Sequence, residues 1–477
     1  MTVSEFFKSF ADLRHTPRAF WYVVGAFVFE SMAYFGMLLL MTLYLTEDLG
    51  WSDGTAGLTV SLFTGSVTLF MLGAGSYAER FGLRRAILFA LIISTLARVA
   101  YSYGASLGAT AAAVAVLGGL FVVSIGSAIL QPVCYSGVKQ YTDESTSSMG
   151  YGLIYALMNL GIVVVAGLSV WIRPGIDRLL ETGEGEDGVL DHLLGWAGSG
   201  IQAMNWVAVA LTALTLLAFY LLMTRRAEAE KLRPDHIEEH LSEGAWHKRL
   251  VRYFAEGPFT NSRFIFFIFM LLPVRTLFAH QWLTMPQYII RAYPDGVGDY
   301  MEILINWINP LIIFIGVPVL TALTRRIHVY TVMMVGTLIS AAPTFLLVGG
   351  PDLGLLITYF VIFSLGEALW SARFLEYASE LAPEGKIAQY MGLAQIPWLL
   401  AKATTGLYSG LVLARYCPED LPPESLDTGT MWLIYGFVAM STPIGLWLAR
   451  GWVMKGLDAG TGASPGPDDE SPDDDAG

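Results

Sequence analysis

The sequence predicts an all-α membrane protein whose twelve transmembrane helices form two pseudo-symmetric bundles of six. Of its 477 residues, 54% are hydrophobic and only 14% are charged, a balance far from that of a soluble domain. About twelve stretches are apolar and long enough to cross a hydrocarbon core ~30 Å thick, which takes ~20 residues. A polar stretch from Arg225 to Asn261 separates the first six from the last six.

Each candidate span is expected to be a helix, because backbone polar groups in lipid must be satisfied within the segment. The spans are expected near residues 19–45, 55–78, 86–104, 108–136, 149–172, 202–224, 263–290, 301–324, 330–348, 353–379, 390–413 and 430–450. The predicted domains are an N-terminal bundle over 1–224, a cytoplasmic linker with an amphipathic helix over 225–261, a C-terminal bundle over 262–452 and a disordered acidic tail over 453–477.

The basic residues predict the orientation. The linker and the arginines after the second span lie on the same side of the membrane as the N-terminus, whereas the opposite loops are rich in Asp and Glu. The positive-inside rule therefore predicts a multi-pass protein of the plasma membrane with both termini in the cytoplasm. The formal charge of -13 comes from the outer loops and the tail, and no nucleic-acid partner is expected. We expect the lipid bilayer and a small-molecule substrate as partners, and a monomer.

A short polar loop between the second and third spans carries the most specific motif. It has the spacing G-x-x-x-[DE]-R-x-G-x-[RK]-[RK], formed by Gly75, Glu79, Arg80, Gly82, Arg84 and Arg85. This spacing resembles the signature loop of the major facilitator superfamily, which implies the major facilitator fold and transport by alternating access. We expect these residues to act in conformational change, with the guanidinium groups bonding a neighbouring helix end and a carboxylate.

Ionisable side chains inside spans are the next signal, because each is costly in lipid unless it is paired or faces water. Glu30 lies midway in the first span, Arg275 and His280 lie in the seventh, Glu367 in the tenth and Lys402 in the eleventh. Glu367 and Lys402 are predicted to lie at one depth and to face one another.

Three further charges have weaker interpretations. Arg373 and Glu376 lie on the same stripe of the tenth span. They are interpreted either as an ion pair of an inner gate or as an intrahelical pair without a role in transport. Arg98 in the third span is expected to snorkel to the outer surface.

A second resemblance is carried by fragments that occur in order along the chain. They are Glu30 to Gly36 with Leu43 to Gly50, Gln131-Pro132, Tyr155 with Asn159 and Gly161, Asn309-Pro310, and Gly366-Glu367 through Pro383 to Gly392. These fragments resemble the proton-dependent oligopeptide transporter (POT) family. The resemblance implies proton-coupled symport of a peptide-like solute, with Glu367 linked to the amino end of a peptide.

The chain departs from that family in its charged motifs. The first-helix pattern Glu-x-x-Glu-Arg reads Phe27, Glu30 and Ser31 here, so one acid and the arginine are missing. Half of the expected proton relay is therefore absent.

A second departure affects the peptide carboxylate. The lysine that precedes the proline of the fourth span in the family is replaced by Gln131. A peptide carboxylate loses its expected cation, unless Arg275 or Lys402 supplies one.

These observations predict a secondary active transporter for a small organic solute, either peptide-like or amphipathic and aromatic. Glu30 and Glu367 are the candidates for proton coupling, with the proton as coupling ion and no cofactor or metal. The candidates for the substrate cavity are Tyr34, Gln131, Tyr155, Asn159, Arg275, His280, Gln281, Trp370 and Lys402. The alternatives are a proton-driven exporter of hydrophobic drugs or metabolites, and a transporter-like sensor or scaffold that moves nothing. Enzymatic motifs are absent from the sequence, so no enzyme is expected.

Overall fold

A computed structural model describes residues 13–143, 146–183, 188, 192, 194–232, 262–294, 296–324, 327–380 and 396–460. Within these ranges, only the helical backbone is described for residues 72–81, 147–149, 152, 318, 321, 322, 372, 375–380, 396 and 455–460. The described residues are helical and contain no β-strand.

In the described part of the N-terminal half, six long helices and one short helix have complete bounds. They are α1 Arg18–Leu43, α2 Asp53–Phe81, α3 Leu83–Tyr103, α4 Ala109–Gln140, α5 Ser147–Thr182, α6 Gly200–Leu222 and the short α7 Arg225–Glu228. A π-helix, Tyr44–Asp48, continues α1. The membrane side on which α1 begins is called the N-terminal side below, and the opposite side is called the far side.

The spans of the C-terminal half are interrupted more often. Its helices are α8 Ser262–Met270, α9 Leu272–Leu283, α10 Met285–Ala292, α11 Met301–Asn306, α12 Ile308–Thr324, α13 Val329–Ala341, α14 Leu353–Glu380, α15 Ile396–Tyr416 and α16 Thr428–Gly460. Short 3₁₀ helices are Leu13–His15, Gly104–Ser106, Gly298–Tyr300, Ala342–Gly349 and Pro423–Ser425. Pro273 and Pro343 lie at the starts of α9 and of the 3₁₀ segment after α13, where a missing N–H prevents continuation of the preceding helix.

Eleven helical segments in the described part are long and apolar enough to cross a membrane. The 21-residue α15, which contains Lys402, occupies the position of the eleventh span and completes the expected twelve. The last helix extends to Gly460, so the prediction of a disordered tail from residue 453 is wrong for residues 453–460. Most of the predicted linker, residues 233–261, lies outside the described residues.

The two halves contact each other through a small set of helices. Within the N-terminal half, α1 packs against α4, α5 and α6; within the C-terminal half, α14 packs against α12 and α13. Between the halves, α2 packs on α15, α5 on α11 and α12, and α1 on α9 and α10. A Cβ atom on Gly406 would overlap Ser61 and the backbone of Gly57, so α2 and α15 approach closely because glycine occupies this position.

Gly82 separates α2 from α3. Its φ of +81° lies in a region that L side chains rarely adopt, which explains the second glycine of the signature loop. Arg84 is the second residue of α3. Its backbone N–H donates to Glu228 Oε1 (3.1 Å), and its Nε donates to the carbonyl of Met223, the C-cap of α6. The prediction that a motif arginine bonds a neighbouring helix end is confirmed for Arg84.

Candidate substrate cavity

A cavity of about 470 Å³ lies between the two halves. Five helices of the C-terminal half (α9, α11, α12, α14 and α15) and four of the N-terminal half (α1, α2, α4 and α5) contribute to its wall. Much of this wall is aromatic, through Phe27, Tyr34, Phe35, Tyr135, Tyr155, Phe278, Trp282, Phe363 and Trp398. A cavity with an apolar lining and a few polar groups is typical of a small-molecule site.

Glu367 is the carboxyl group of the described wall, and it lies midway along α14. Its Oε2 accepts a hydrogen bond from Asn309 Nδ2 (2.6 Å), and the same amide contacts Ser364 Oγ at 3.1 Å. Asn309 is placed there by the break at Trp307, after which α12 starts. One neutral amide therefore holds the carboxyl group against α12, and the group still borders the cavity.

Lys402 contributes a positive charge to the same wall from α15. Its Nζ lies 5.9 Å from the ring centroid of Trp398, one helical turn earlier. The carbonyl of Lys402 accepts a hydrogen bond from Ser61 Oγ (2.6 Å) across the two halves. Glu367 and Lys402 both lie in the wall, but they do not form an ion pair, and the prediction that they face one another at one depth stays a prediction.

The N-terminal half contributes neutral polar groups to the described wall. Tyr34, Gln131, Tyr155 and Asn159, all predicted as cavity residues, lie in it, and Gln281 lies in the opposite wall. Asn159 Nδ2 donates to the carbonyl of Tyr155 (2.9 Å), which fixes the amide on its own helix.

Glu30 lies outside the described cavity wall. It is buried among α1, α3 and α6, where both carboxylate oxygens contact Arg98 at 2.8 Å and Oε2 also accepts from Thr212 (3.1 Å). The prediction that Arg98 snorkels to the outer surface is wrong, because this side chain is fully buried in an ion pair.

Three other predicted cavity residues lie behind the wall. Arg275 is 1% exposed and contacts aromatic rings. His280 bonds Thr284 Oγ1 (2.8 Å) and Tyr408, and Trp370 Nε1 donates to Ser340 Oγ (3.2 Å). Their prediction as wall residues is wrong, because each is enclosed by neighbouring helices of the C-terminal half.

The predicted gating residues are only partly described. Arg373 is buried on α14 and donates to Thr324 Oγ1 (3.3 Å). The side chain of Glu376 lies outside the described residues, as do those of Glu79 and Arg80 and the surroundings of Gly75. Arg85 is exposed at the start of α3.

Among the described residues, two ion pairs join the halves at the far side. Glu302, at the start of α11, accepts from Arg173 Nε (2.7 Å) and from Ser169 Oγ (2.9 Å) of α5. Arg291, at the end of α10, forms two bonds of 2.8 and 2.9 Å to Asp53, the first residue of α2. These pairs close the far side, so the cavity lies between them and the N-terminal side.

Sequence reasoning did not find these pairs. Glu302 and Arg291 come from segments that the sequence places near loops, and their partners lie more than a hundred residues away. Arg173 follows directly after the predicted fifth span, residues 149–172, and lies within helix α5 of the structure. Extending that span by one turn would have placed an arginine inside it, which is the signal that could have indicated one of these pairs. In the described part, no group of three or more His, Cys, Asp or Glu side chains could hold a metal ion.

Comparison with known proteins identifies the family. A sequence model described as the Major Facilitator Superfamily matches residues 23–404. The chain belongs to the major facilitator superfamily. It is therefore a membrane protein of a family that transports small solutes, and its relatives and structural neighbours are transporters and not enzymes.

Sequence relatives and solved structures agree with this family. The chain is 28% identical over 168 residues to "Peptide transporter family 1" of Drosophila melanogaster. This alignment covers 34% of this chain and 22% of that protein. It is 21% identical over 384 residues to the uncharacterized MFS-type transporter YhjO of Bacillus subtilis (strain 168), covering 80% and 82% of the two chains.

Two solved structures share the fold of this superfamily member. A POT family transporter in complex with 5-aminolevulinic acid matches 92% of this chain and 97% of that chain, with a TM-score of 0.66 and 18% identity. The nucleoside transporter NupG matches 90% of this chain and 99% of that chain, with a TM-score of 0.66 and 13% identity. At these identities the likeness concerns the fold, and the resemblance to POT transporters is confirmed at that level.

Proposed function

We propose that this protein is a secondary active transporter that works by alternating access, uses a proton gradient, and moves a small peptide-like or amphipathic organic solute. The observation that carries the proposal is Glu367, an ionisable group in the wall of a cavity that both halves enclose. Ionisable side chains at membrane depth that face a water-filled cavity mark ion or substrate pathways.

Alternating access is supported by how the halves contact each other. The pairs Arg173–Glu302 and Arg291–Asp53 hold the far side closed around one cavity. Rocking of one half against the other would break these contacts and open the cavity to the far side. A side chain in the wall would then be accessible from one side of the membrane in one conformation and from the other side in the other conformation.

Proton coupling is supported by the neutral surroundings of Glu367. The carboxyl group is bonded by the amide of Asn309 and is not paired with a cation in the described part of the chain. Since an amide can bond either the charged or the neutral carboxyl group, Glu367 can gain and lose a proton without breaking a salt bridge. Glu30, in contrast, is paired with Arg98 and lies outside the described wall.

The test is uptake in proteoliposomes. Peptides, amino acids, nucleosides and amphipathic drugs are first screened for thermal stabilisation of the purified protein, and a stabilising solute is then radiolabelled. We expect the wild type to accumulate this solute when a pH gradient is imposed. Glu367→Gln should abolish accumulation but still exchange labelled for unlabelled solute at equal pH, because exchange needs binding and rocking but no net proton movement.

Glu424→Gln, in an exposed far-side loop, is the matched control and should leave accumulation unchanged. Unchanged pH-driven accumulation in Glu367→Gln would contradict the coupling role. A wild type that binds solutes but neither accumulates nor exchanges any would support a sensor or scaffold instead.

Export of hydrophobic compounds is the second candidate, and the aromatic wall favours it. The same proteoliposomes distinguish the two, because an exporter expels its solute against the direction in which protons enter. The basic residues of the linker favour cytoplasmic termini in the plasma membrane. Both halves of one chain line the cavity, which favours a monomer.

A further inference from the structure

Two cations lie close to one aromatic ring of the cavity wall. The ring centroid of Trp398 is 5.9 Å from Lys402 Nζ and 5.1 Å from Arg275 Cζ. Trp398 and Lys402 belong to the wall, whereas Arg275 lies one layer behind it, with Phe374 at 4.3 Å on another side. The indole of Trp398 is therefore a shared neighbour of one cation in the cavity wall and one buried cation.

Arg275 has no compensating negative charge in the part of the chain that the structure describes. Its Nε and Nη1 atoms are buried without a hydrogen-bond partner. Aromatic faces attract a guanidinium, but a buried charge that lacks both an ion pair and hydrogen bonds remains costly. The charge therefore leaves an excess of positive potential next to the cavity.

Lys402 is in a similar position on the wall itself. No ion pair connects it to an acid among the described residues, and the carboxyl group of the described wall, Glu367, bonds Asn309. On the opposite side of the cavity the described wall is neutral, with Gln131 and Asn159 as amides. An anionic group that enters the cavity meets its opposite charge at α15 and α9.

We propose that Lys402, supported by Arg275 through the ring of Trp398, forms an anion subsite in the C-terminal half that binds the carboxylate of the transported solute. The proposal rests on the proposed function in one respect, namely that the cavity binds a solute. Lys402 contacts the carboxylate, Arg275 adds attraction from behind the wall, and Trp398 with Phe278 packs on the apolar part of the solute. The substrate class is thus an organic carboxylate with an apolar or aromatic body.

The test measures binding and does not require transport. The probes are 3-phenylpropanoate and its neutral amide, 3-phenylpropanamide, titrated calorimetrically into the purified full-length protein in nanodiscs, in chloride-free buffer. We expect the carboxylate to bind at least about tenfold more tightly than the amide. Lys402→Met should reduce this ratio to about twofold or less, whereas Lys402→Arg should keep most of it.

Lys139→Met is the matched control. Lys139 is exposed near the end of α4 and does not belong to the described wall, so its replacement should leave the ratio unchanged.

Arg275 is a positioning residue, and its variants separate an electrostatic role from a structural one. Arg275→Met should lower the carboxylate-to-amide ratio by about threefold to tenfold without lowering the Tm of the ligand-free protein, because it removes an uncompensated charge. Arg275→Lys should preserve the ratio. A fall in Tm with an unchanged ratio would assign Arg275 to packing alone and overturn its part of the proposal.

Equal affinity for the two probes, binding of neither, or a ratio that survives Lys402→Met would overturn the subsite. The proposed function fails separately. A preference for the carboxylate without any proton-driven flux would support the subsite and contradict the transporter mechanism. Proton-driven flux with equal affinities for the two probes would support the transporter mechanism and contradict the subsite.

Discussion

Glu30 in the N-terminal half and Glu367 in the C-terminal half are both carboxyl groups near the middle of a span, but their surroundings differ. Glu30 is 3% exposed and bonds both Arg98 and Thr212, whose helices enclose it. Glu367 borders the cavity and bonds one neutral amide, that of Asn309. The same residue type therefore serves as part of a sealed ion pair in one half and as an accessible group in the other.

The difference extends to the basic side chains. Arg98 is paired within its own half, whereas Arg275 and Lys402 have aromatic neighbours and no ion pair with any described acid. Removing one member of a buried pair is costly, because it leaves the other charge buried without compensation. Unmatched charges beside a cavity are free to respond to a proton or a solute. On the proposed function, the unmatched charges act in transport, whereas the paired charges act in holding the helices together.

The strongest way to break this comparison is to make one chemical change at both sites. Glu30→Gln should lower the free energy of unfolding by about 3–5 kcal/mol, because it leaves Arg98 buried without its counter-charge. Glu367→Gln should lower it by less than about 1 kcal/mol, because glutamine still accepts the hydrogen bond of Asn309. SDS-induced unfolding of the purified protein, followed by circular dichroism, measures both. Equal losses at the two sites would contradict the comparison.

A second change tests charges that are matched across the halves. Glu302→Gln should weaken the far-side contact with Arg173 and raise the population of molecules open at the far side by about tenfold, or about 1.4 kcal/mol. Distances between spin labels at Glu181→Cys and Glu424→Cys, measured by double electron–electron resonance, report this opening. Glu419→Gln, which removes a 67% exposed partner of Arg291, is the control and should shift the population little.

The smallest expected effect concerns the hydroxyl group beside the sealed pair. Thr212→Val removes the group that bonds Glu30 Oε2, at an expected cost of about 1 kcal/mol in the free energy of unfolding. Thr215→Val, one turn away on α6, removes a hydroxyl that bonds only its own helix at Leu211 and should cost less. Proton-driven uptake should survive both changes. If Thr212→Val lost proton-driven uptake while Thr215→Val kept it, Glu30 would have to be part of the proton pathway.

Much of the cavity could be predicted from single spans. Tyr34, Gln131 and Asn159, which lie in the wall, were indicated by the resemblance to POT transporters. Glu367 and Lys402 lie in it because ionisable side chains at mid-depth avoid lipid and face the space between the halves. Such reasoning uses only depth and residue type, and both can be read along one helix.

The same reasoning failed where the direction of a side chain around its helix decided the outcome. Glu30 and Tyr34 are four residues apart, which leaves them about 40° apart around the helix axis. This offset is enough for Tyr34 to border the cavity while Glu30 points toward α3 and α6. Arg275 was expected in the wall, but the ring of Trp398 covers it from another helix.

Residue order alone determined that this chain crosses a membrane as helices, with a glycine at residue 82 to separate α2 from α3. The reason is that unpaired backbone groups are too costly in the hydrocarbon core of a bilayer. The length and polarity of each segment are therefore sufficient to predict a membrane-spanning helix. The pairing of charges depended on the folded arrangement. Arg98 finds Glu30, and Arg173 finds Glu302, on helices remote in the chain. Coulomb attraction between two side chains depends on their separation in space, which only the packing of the helices sets.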